Sequence, residues 1–528
     1  MQTILRISQR EITRLRTRFT GRARPLLFVV LAGTFFLAYL AFRQGSVRGR
    51  SLYRVGVAPD VPAVQDPRFD SVTVSPDESA AMLQAQTLDV YIDAGQVQHD
   101  GDEKSLYAAG ALQLYLETQE LARIEREYAA ESAFPLRVEA AAFPAEQATQ
   151  KEIIIPSLTG PPLPFEQVVS ASLYLLPISL ISVFFTSGFM DEKMDRRISV
   201  LLSTPVTPLQ IILGKMLPYM IFALFSILVL ALVLRVNPLL ALAIFIPVVF
   251  FSFAVYLIVP LMYRTFKDTT FISMFATTAI TMYLLFPAMF VGISDLSAIS
   301  PISMAVKLQR GQSFGLKEYL TSTAAMYLVF GMAVYVGCRV LNEEYLMKYR
   351  PLHRKVADAI YLTLHREHPY LSVFLLSLAL IPIVYMLQLG VVTVAVNFPM
   401  RYAIGILLVI SIIIEEITKS AGIAVLIENG DVTRTPALIA LAFLSAVGFL
   451  LGEKLLLLIS ISSVSESVLA AVLFNAGKLW IPLLAHFTFT TIVTLLTRRL
   501  GARWYIVALL GGVAIHVVYN LYVLGIIP

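Results

Sequence analysis

Apolar runs of about 20 residues recur along most of the sequence and constrain it more than any other feature. A helix of that length crosses the hydrocarbon core of a bilayer, where only helices and closed barrels satisfy their backbone polar groups. Charged residues make up 15% of the chain, against about 25% in a typical soluble domain. The sequence therefore predicts an all-α polytopic membrane protein. We expect about eleven transmembrane helices, at residues 25–42, 167–189, 216–234, 239–263, 270–293, 319–341, 370–391, 400–424, 436–459, 478–497 and 504–526.

The first apolar run follows a strongly basic N-terminus, with arginine at positions 6, 10, 14, 16, 18, 22 and 24. Basic residues accumulate on the cytoplasmic side of a membrane, and no small-residue cleavage site follows the run. We therefore expect an uncleaved first span in the cell (plasma) membrane, with a cytoplasmic N-terminus. Residues 4–20 read either as a solvated basic tail or as an amphipathic helix on the inner surface, with Ile4, Ile12, Leu15 and Phe19 on one side.

Residues 43–164 are acidic and hold no spanning run. Strand-like patterns at 52–57 and 88–92 and a helical pattern at 104–128 predict a small α/β domain. Because it follows a span whose N-terminus is cytoplasmic, we expect it to be extracytoplasmic.

Cysteine content and net charge exclude several classes of site and partner. Cys338 is the one cysteine of the chain, so neither a disulfide framework nor a thiolate metal site can be built. The net charge of +5 fits the basic bias of cytoplasmic loops. We expect a protein that contacts the lipid bilayer and no nucleic acid.

A basic stretch at 346–369 is the best domain boundary and is expected to be a cytoplasmic linker. It separates residues 1–345 from residues 370–528. His365 and His368 within it have metal-like spacing, but a solvated basic linker explains them better. A shorter apolar piece at 466–476 predicts an outer interfacial or re-entrant helix.

Residues 190–215 predict a charged entry, a short helix, a bend at Pro205 and a second helix that leads into a span. Such a segment would present a rigid shape to a cytoplasmic partner. The alternative is an ordinary charged inner loop. The residues that define the pattern are Asp191, Glu192, Leu201, Leu202, Pro205, Val206, Gly214 and Lys215.

Residues 1–345 resemble the type-2 ABC exporter permeases, in the branch related to sodium-efflux permeases. The match rests on the pattern just described, on the large domain after the first span, and on Ser300-Pro301 before the last permease span. The resemblance implies that residues 190–215 couple to a separate ABC ATP-binding subunit, and we expect the chain to form a homodimer. The chain has no Gly-x-x-x-x-Gly-Lys-Ser/Thr phosphate loop, so we expect ATP to bind only to that separate subunit.

The spans of the back half carry ionisable residues, each costing about 2.5–3.5 kcal/mol at mid-bilayer on insertion scales. Glu415 and Lys419 are four residues apart and are expected to share a helix face. Lys454 follows Glu453 directly and is expected to point elsewhere. The full set is Glu415, Glu416, Lys419, Glu453, Lys454, His486, His516 and Asn520. Gathered in one pocket, such groups could hold and activate a water molecule.

Residues 370–528 resemble the PrsW family of intramembrane proteases, within the wider group of CAAX prenyl proteases and bacteriocin-processing enzymes. The matching motifs are Glu-Glu-x-x-Lys from Glu415 to Lys419, Phe-x-x-x-Glu from Phe449 to Glu453, His486, and the pair His516 and Asn520. The wider group favours Arg at the position of Ser420, so Lys419 fits PrsW better.

The resemblance implies a role for each matched residue. Glu415 would be the general base, with Glu416 as the alternate. His486 would position the water, while His516 and Asn520 would form the oxyanion site. Lys419 and Glu453 would tune charge and geometry. Zinc on Glu415, His486 and His516 stays open, since imidazole and carboxylate suit that metal, but a metal-free mechanism is favoured.

Two interpretations therefore remain. One is a permease subunit fused to an endopeptidase that cleaves membrane protein or peptide substrates, without ATPase activity in this chain. The other is a pure exporter permease whose back half is a structural or regulatory bundle, because buried polar side chains also lock helices together.

Overall fold

The computed structural model describes nearly all of the long apolar runs as helices. The described residues are 2–19, 32–33, 35–36, 39, 53–66, 69–85, 87–93, 96–101, 103–127, 165–289, 295–309, 313–347, 350–395, 398–462 and 479–523. Most of the expected first span at 25–42, the apolar piece at 466–476, and parts of residues 43–164 lie outside them.

In the front half the helices are α1 (Gln2–Phe19), α2 (Pro76–Gln84), α3 (Glu103–Glu127), α4 (Phe165–Ser172), α5 (Leu175–Met194), α6 (Arg197–Leu202), α7 (Pro208–Val233), α8 (Pro238–Met262), α9 (Phe266–Ala288), α10 (Pro301–Gln309) and α11 (Leu316–Val340). The linker and back half hold α12 (Glu343–Met347), α13 (Leu352–Thr363), α14 (Pro369–Ala379), α15 (Ile381–Ala395), α16 (Met400–Glu428), α17 (Thr435–Ser462), α18 (Trp480–Leu500) and α19 (Tyr505–Val523).

Within the described residues, nine helical segments are long and apolar enough to cross a bilayer. They are Val168–Met194, Pro208–Val233, Pro238–Met262, Phe266–Ala288, Leu316–Val340, Pro369–Ala395, Thr435–Leu455, Trp480–Leu500 and Ala502–Val523. The chain is thus a helical, multi-pass membrane protein. The run expected at 400–424 is α16, which has the length of a span but carries Glu415, Glu416 and Lys419.

Between the first helix and the front bundle in the sequence, the chain forms a four-stranded sheet with strand order β2-β1-β3-β4. The strands are β1 (Tyr53–Val57), β2 (Phe69–Thr73), β3 (Val90–Asp93) and β4 (Gln96–Gln98). β1 runs parallel to β2 and β3, while β4 is antiparallel to β3. Helix α3 packs Leu112 on one face of the sheet and α2 packs Leu83 near the other. Covering both faces is the usual arrangement for parallel strands.

The front bundle is organised around α8, whose side chains are apolar on all sides. A helix of that kind is buried on every face, and α8 packs against α5, α7 and α11. Aromatic rings fill the centre, where Phe185 lies 5.5 Å from Phe253 and 5.6 Å from Tyr219 between centroids.

Helix α1 is docked on α7 through a mixed polar and apolar face. Ile7, Ser8 and Glu11 are buried, and the Ser8 hydroxyl donates to the Gly214 carbonyl at 2.8 Å. A Cβ on Gly214 would lie 2.8 Å from the Ile7 Cβ, so only glycine permits this approach. Ile12 is 54% exposed. The protein therefore covers the face of α1 around Ile7 and Glu11, and Ile12 lies outside that packed face.

The described residues of the linker, 346–347 and 350–369, are folded and lie between the two halves. Helix α13 packs against both α11 and α16, and the Tyr345 hydroxyl donates to the Lys355 carbonyl at 3.0 Å. Further on, α15 packs on α9 and α11 of the front bundle, and Leu389 belongs to the front core. The two halves are therefore in direct contact.

Candidate functional site

Helices α16, α17, α18 and α19 bring ionisable side chains together inside the back half. We call this group the back cluster; it comprises Glu415, Glu416, Lys419, Glu453, His486 and His516. Close helix packing makes the meeting possible. Gly448 of α17 lies directly against the Phe374 carbonyl of α14, and Gly512 of α19 lies against Val493 of α18. Small residues at such crossings let membrane helices approach closely.

Glu416 is the centre of the back cluster. Its Oε1 accepts from the Lys419 ammonium at 2.5 Å and lies 2.8 Å from His516 Nδ1. The side chains of Glu416 and Lys419 are both fully buried. Glu416 Oε2 is also buried, with no hydrogen-bond partner among the described residues. A carboxylate in so dry a place requires its cationic partner, so Lys419 is committed to Glu416.

The sequence placed Glu415 and Lys419 on one helix face without assigning an ion pair to either. In the structure, the ion pair of Lys419 forms three residues apart, with Glu416. Both spacings place side chains on neighbouring positions of a helix. Here the other partners decide, because His486 Nδ1 lies 3.0 Å from the Lys419 ammonium on the same side.

The contact with Lys419 also fixes the tautomer of His486. An ammonium has only donors, so Nδ1 of His486 must accept and Nε2 must carry the proton. His486 Nε2 faces Glu453, 3.7 Å from its Oε2. Lys454 lies 2.7 Å from Glu453 Oε1. The expectation that Lys454 points elsewhere was therefore wrong, because its long side chain reaches back to its neighbour.

Glu415 occupies the edge of the back cluster and is half-buried. The Gln388 side-chain amide of α15 donates to its Oε1 at 3.1 Å. One ligand atom each from Glu415, His486 and His516 lies within 4.8 Å of the others. A small molecule at this point would meet one carboxylate and two imidazoles.

Aromatic rings wall the back cluster on two sides. The Phe489 ring stacks on His516 with centroids 4.4 Å apart, and the Phe449 ring meets His486 edge-on at 5.3 Å. The Lys419 ammonium lies 5.1 Å from the Phe449 centroid. Such walls limit water near the imidazoles, and electrostatic interactions strengthen where water is excluded.

Asn520 is not joined to the back cluster. It lies one turn beyond His516 on α19 and is half-buried. Within the described part of the chain, no hydrogen bond connects it to His516 or to the carboxylates.

Several polar residues near the back cluster were missed in the sequence. Gln388 is one, and its signal was a polar side chain within an apolar run. Hydroxyl groups form a second layer that fixes α16. Ser445 donates to the Lys419 carbonyl at 2.6 Å, Ser420 donates to the Glu416 carbonyl at 2.6 Å, and the Ser420 and Tyr505 hydroxyls are 2.8 Å apart. Serine and tyrosine are too common in membrane helices for composition to single these out.

The residues expected to couple to an ATPase divide into two groups. Asp191, Glu192, Gly214 and Lys215 lie under α1. Leu201 and Leu202 are half-buried, and Pro205 is exposed at the bend between α6 and α7. The Pro-bounded bend thus occurs where the pattern predicts it, but α1 covers both of its ends.

Two of the covered residues, Glu192 and Lys215, belong to a second buried ionic network. We call it the front cluster; its members are Glu11, Arg14, Glu192, Lys215 and Tyr219. Glu192 pairs with both Lys215 and Arg14. Lys215 lies 3.5 Å from Glu11, which accepts from the Tyr219 hydroxyl at 3.1 Å. The front cluster fastens α1 to α5 and α7.

Zinc fits the donor set of the back cluster only in part. Two imidazoles and one carboxylate suit catalytic zinc, and Glu415, His486 and His516 are the residues that could hold it. The Lys419 ammonium, 3.0 Å from His486 Nδ1, opposes a second cation there. The geometry therefore favours chemistry carried by the side chains themselves.

No protein-family model, curated protein or solved structure matches the chain.

Proposed function

We propose that the back half is a glutamate- and histidine-dependent endopeptidase that cleaves peptide bonds of membrane-associated substrates. The carrying observation is the approach of Glu415, His486 and His516 to within 4.8 Å of one another inside the helical bundle. Structural polar pairs between membrane helices need two partners. Here three proton-transferring groups from three helices converge on one point.

Glu415 is the better general base of the two adjacent glutamates. Glu416 already accepts from Lys419 and faces His516, whereas Glu415 is half-buried and holds one amide hydrogen bond. In the proposed reaction Glu415 takes a proton from a water, and the water oxygen attacks the substrate carbonyl carbon. Glu415 then returns the proton to the amide nitrogen as the C–N bond breaks. The products are a carboxylic acid and an amine.

Histidine supplies the charge stabilisation for the oxyanion. Glu416 Oε1 lies 2.8 Å from His516 Nδ1, and an imidazole that carries both ring protons donates from Nδ1 and from Nε2. Nε2 of the His516 imidazolium can then donate to the oxyanion. His486, fixed by Lys419, orients the water. Asn520 is available to contact substrate.

The test is cleavage of quenched-fluorescent peptides with a membrane-spanning segment, using the full chain reconstituted in vesicles. Glu415→Gln should lower the rate at least about 100-fold, the usual contribution of a general base. Glu428→Gln is the matched control on the same helix, since Glu428 pairs with Arg354 near the far end. Full cleavage by Glu415→Gln would exclude the assignment.

We also propose that the front half is the permease of an ABC-type exporter served by a separate ATP-binding subunit. In this arrangement the chain has eleven spans, residues 43–164 are extracytoplasmic, and the N-terminus and linker are cytoplasmic in the plasma membrane. Support comes from the helix–bend–helix of α6 and α7, where Val200, Thr204 and Pro205 are exposed. In this proposal the ATP-binding subunit contacts that surface.

Co-purification from the native membrane tests this second proposal. The full chain should retain an ATPase, and Thr204→Arg should reduce the retained amount several-fold. Thr433→Arg is the control, because Thr433 is an exposed threonine in the connection between α16 and α17. Equal retention by both variants would rule out the bend as the coupling surface.

The competing function is an exporter permease with a purely structural back half. One observation favours it: the contacts among Glu416, Lys419 and His516 are what a helix lock needs. Under this alternative, Glu415→Gln leaves every activity unchanged, whereas Lys419→Met unfolds the back half and stops transport.

A further inference from the structure

A cavity of about 1040 Å³ lies between the two halves of the chain, beside the helices through which they are in contact. Helices α8, α9 and α11 line it from the front half, and α13, α14 and α15 line it from the other side. The back cluster is not part of its lining. The cavity is therefore a separate feature at the junction of the halves.

The shape and chemistry of the cavity fit a hydrocarbon chain. Its lining extends from Leu371 on α14 to Leu387 on α15, about 24 Å along the helix direction at 1.5 Å per residue. One leaflet of the hydrocarbon core is about 15 Å thick. Aliphatic and aromatic side chains dominate the lining, and its described residues include no Asp, Glu, Lys or Arg. A peptide would find few partners there for its backbone polar groups.

One end of the cavity is polar and basic. His365 and His368 line that end together with Tyr335. The Arg339 guanidinium lies 3.1 Å from His365 Nδ1 and donates to the Tyr335 hydroxyl at 3.2 Å. Arg339 has no carboxylate partner among the described residues.

More cations lie around Tyr263, which also lines the cavity. The Lys193 ammonium donates to the carbonyls of Pro260 and Tyr263 at 2.7 and 2.8 Å. Lys355 is 3% exposed, and its ammonium has no hydrogen-bond partner within the described chain. Burial, together with the nearby positive charge of Arg264, lowers the pKa of Lys355.

Acidic groups near this end are already engaged or lie in solvent. Asp358 holds Arg350 in a two-oxygen contact, and Asp268 accepts from the Thr265 hydroxyl. Glu367 is exposed beside Arg366. The basic end therefore carries an excess of positive charge.

We propose that the cavity binds an anionic phospholipid, with an acyl chain between the halves and the phosphate at the basic end beside Arg339 and His365. The apolar length accommodates the acyl chain, and the Arg339 guanidinium, which has no carboxylate partner among the described residues, accounts for the anionic headgroup. Each Lys or Arg near an anionic lipid contributes roughly a fivefold gain in affinity.

Native mass spectrometry of the purified full chain, titrated with phosphatidylglycerol or phosphatidylcholine, tests the proposal. We expect at least tenfold tighter binding of phosphatidylglycerol, with about a fivefold loss in Arg339→Gln and a smaller loss in Arg339→Lys. Arg503→Gln, at an arginine stacked on Trp504 far along the chain, should change nothing. Because Arg339→Gln affects only the binding of the headgroup, a second variant tests the part of the cavity that would hold the acyl chain.

Ala379 lines the cavity and is exposed, so Ala379→Trp fills it without disturbing a core. We expect this variant to lose both lipids, whereas Ala514→Trp on the exposed side of α19 retains them. Equal affinity for the two lipids, or unchanged binding in both Arg339→Gln and Ala379→Trp, would overturn the proposal. Displacement of phosphatidylglycerol by millimolar inorganic phosphate alone would show an anion site without a lipid site, and would also overturn it.

Discussion

Glu192 in the front cluster and Glu416 in the back cluster are both buried acids held by a lysine, yet their surroundings differ. Glu192 has two permanent cations, Lys215 and Arg14. Glu416 has one permanent cation, Lys419, and its second partner is His516. Lysine and arginine stay protonated near neutral pH, whereas histidine exchanges its proton readily.

Of the two buried networks, the back cluster is the one suited to proton-transfer chemistry. The front cluster fastens the N-terminal helix through lysine and arginine. The back cluster leaves Glu416 Oε2 without a described partner and keeps Glu415 half-buried at its edge. Burial of charge is common to both, but of the two only the back cluster places imidazoles against its buried charges.

Removing a histidine from the back cluster is expected to have the largest effect on peptide cleavage. His516→Gln should lower peptide cleavage at least about 100-fold, because His516 supplies the hydrogen bond to the oxyanion in the proposed reaction. Tyr219→Phe, which removes the hydroxyl from the front cluster, should leave cleavage unchanged. The assay is cleavage of membrane-spanning peptides in vesicles, with size-exclusion profiles to verify folding. Equal losses in the two variants would mean that the effect is on folding alone.

Removing each lysine compares the two clusters by stability. Lys419→Met leaves Glu416 without its permanent cation and should cost about 3–5 kcal/mol of folding free energy. Lys215→Met should cost less, because Arg14 still pairs with Glu192. Thermal unfolding in detergent measures both. Glu416→Gln combined with Lys419→Met should recover most of the stability but none of the cleavage; recovered cleavage would contradict the assigned roles.

The packing of α1 on α7 can be weakened by a substitution that changes no charged residue. Gly214→Ala places a Cβ 2.8 Å from the Ile7 Cβ, and overpacking of this kind costs typically about 1–3 kcal/mol. We expect faster trypsin cleavage at Arg10, with peptide cleavage unaffected. Gly331→Ala is the matched control, since nothing lies within 4 Å of its added Cβ. Unchanged trypsin cleavage at Arg10 would show that α1 is held by other contacts.

The smallest effect is expected for the hydrogen bond from Gln388 to Glu415. Gln388→Leu removes one amide donor, worth about 1 kcal/mol, and should slow cleavage about fivefold. Tyr385→Phe on the same helix serves as the control and should have no effect. Steady-state cleavage rates measure the change. A loss as large as that of Glu415→Gln would instead indicate that Gln388 takes part in the chemistry.

Two features of the sequence made much of this molecule predictable: the length of its apolar runs and the ionisable residues within them. Runs of apolar residues located the spanning helices, since length and composition decide whether a helix crosses a bilayer. The ionisable residues of α16, α18 and α19 were singled out because charge in a membrane is expensive. Both features can be recognised within one segment of the sequence, without knowing which segments meet in the fold.

Pairing between segments was harder to predict. Lys419 had two neighbouring glutamates, and the choice of Glu416 depends on where α18 and α19 place His486 and His516. Likewise, periodicity alone could not show that α1 would bury Glu11 against Lys215 and expose Ile12. Such choices are tertiary, and they override local spacing wherever a distant side chain offers a better partner.

Helix α15 has a mechanical consequence for the whole chain. Gln388 holds the edge of the back cluster, while the next residue, Leu389, is packed in the front core. A helix transmits displacement along its rigid backbone, so a movement of the front core at Leu389 would also displace Gln388 and its contact with Glu415. Under the two functions proposed above, α15 would couple transport mechanically to peptide cleavage.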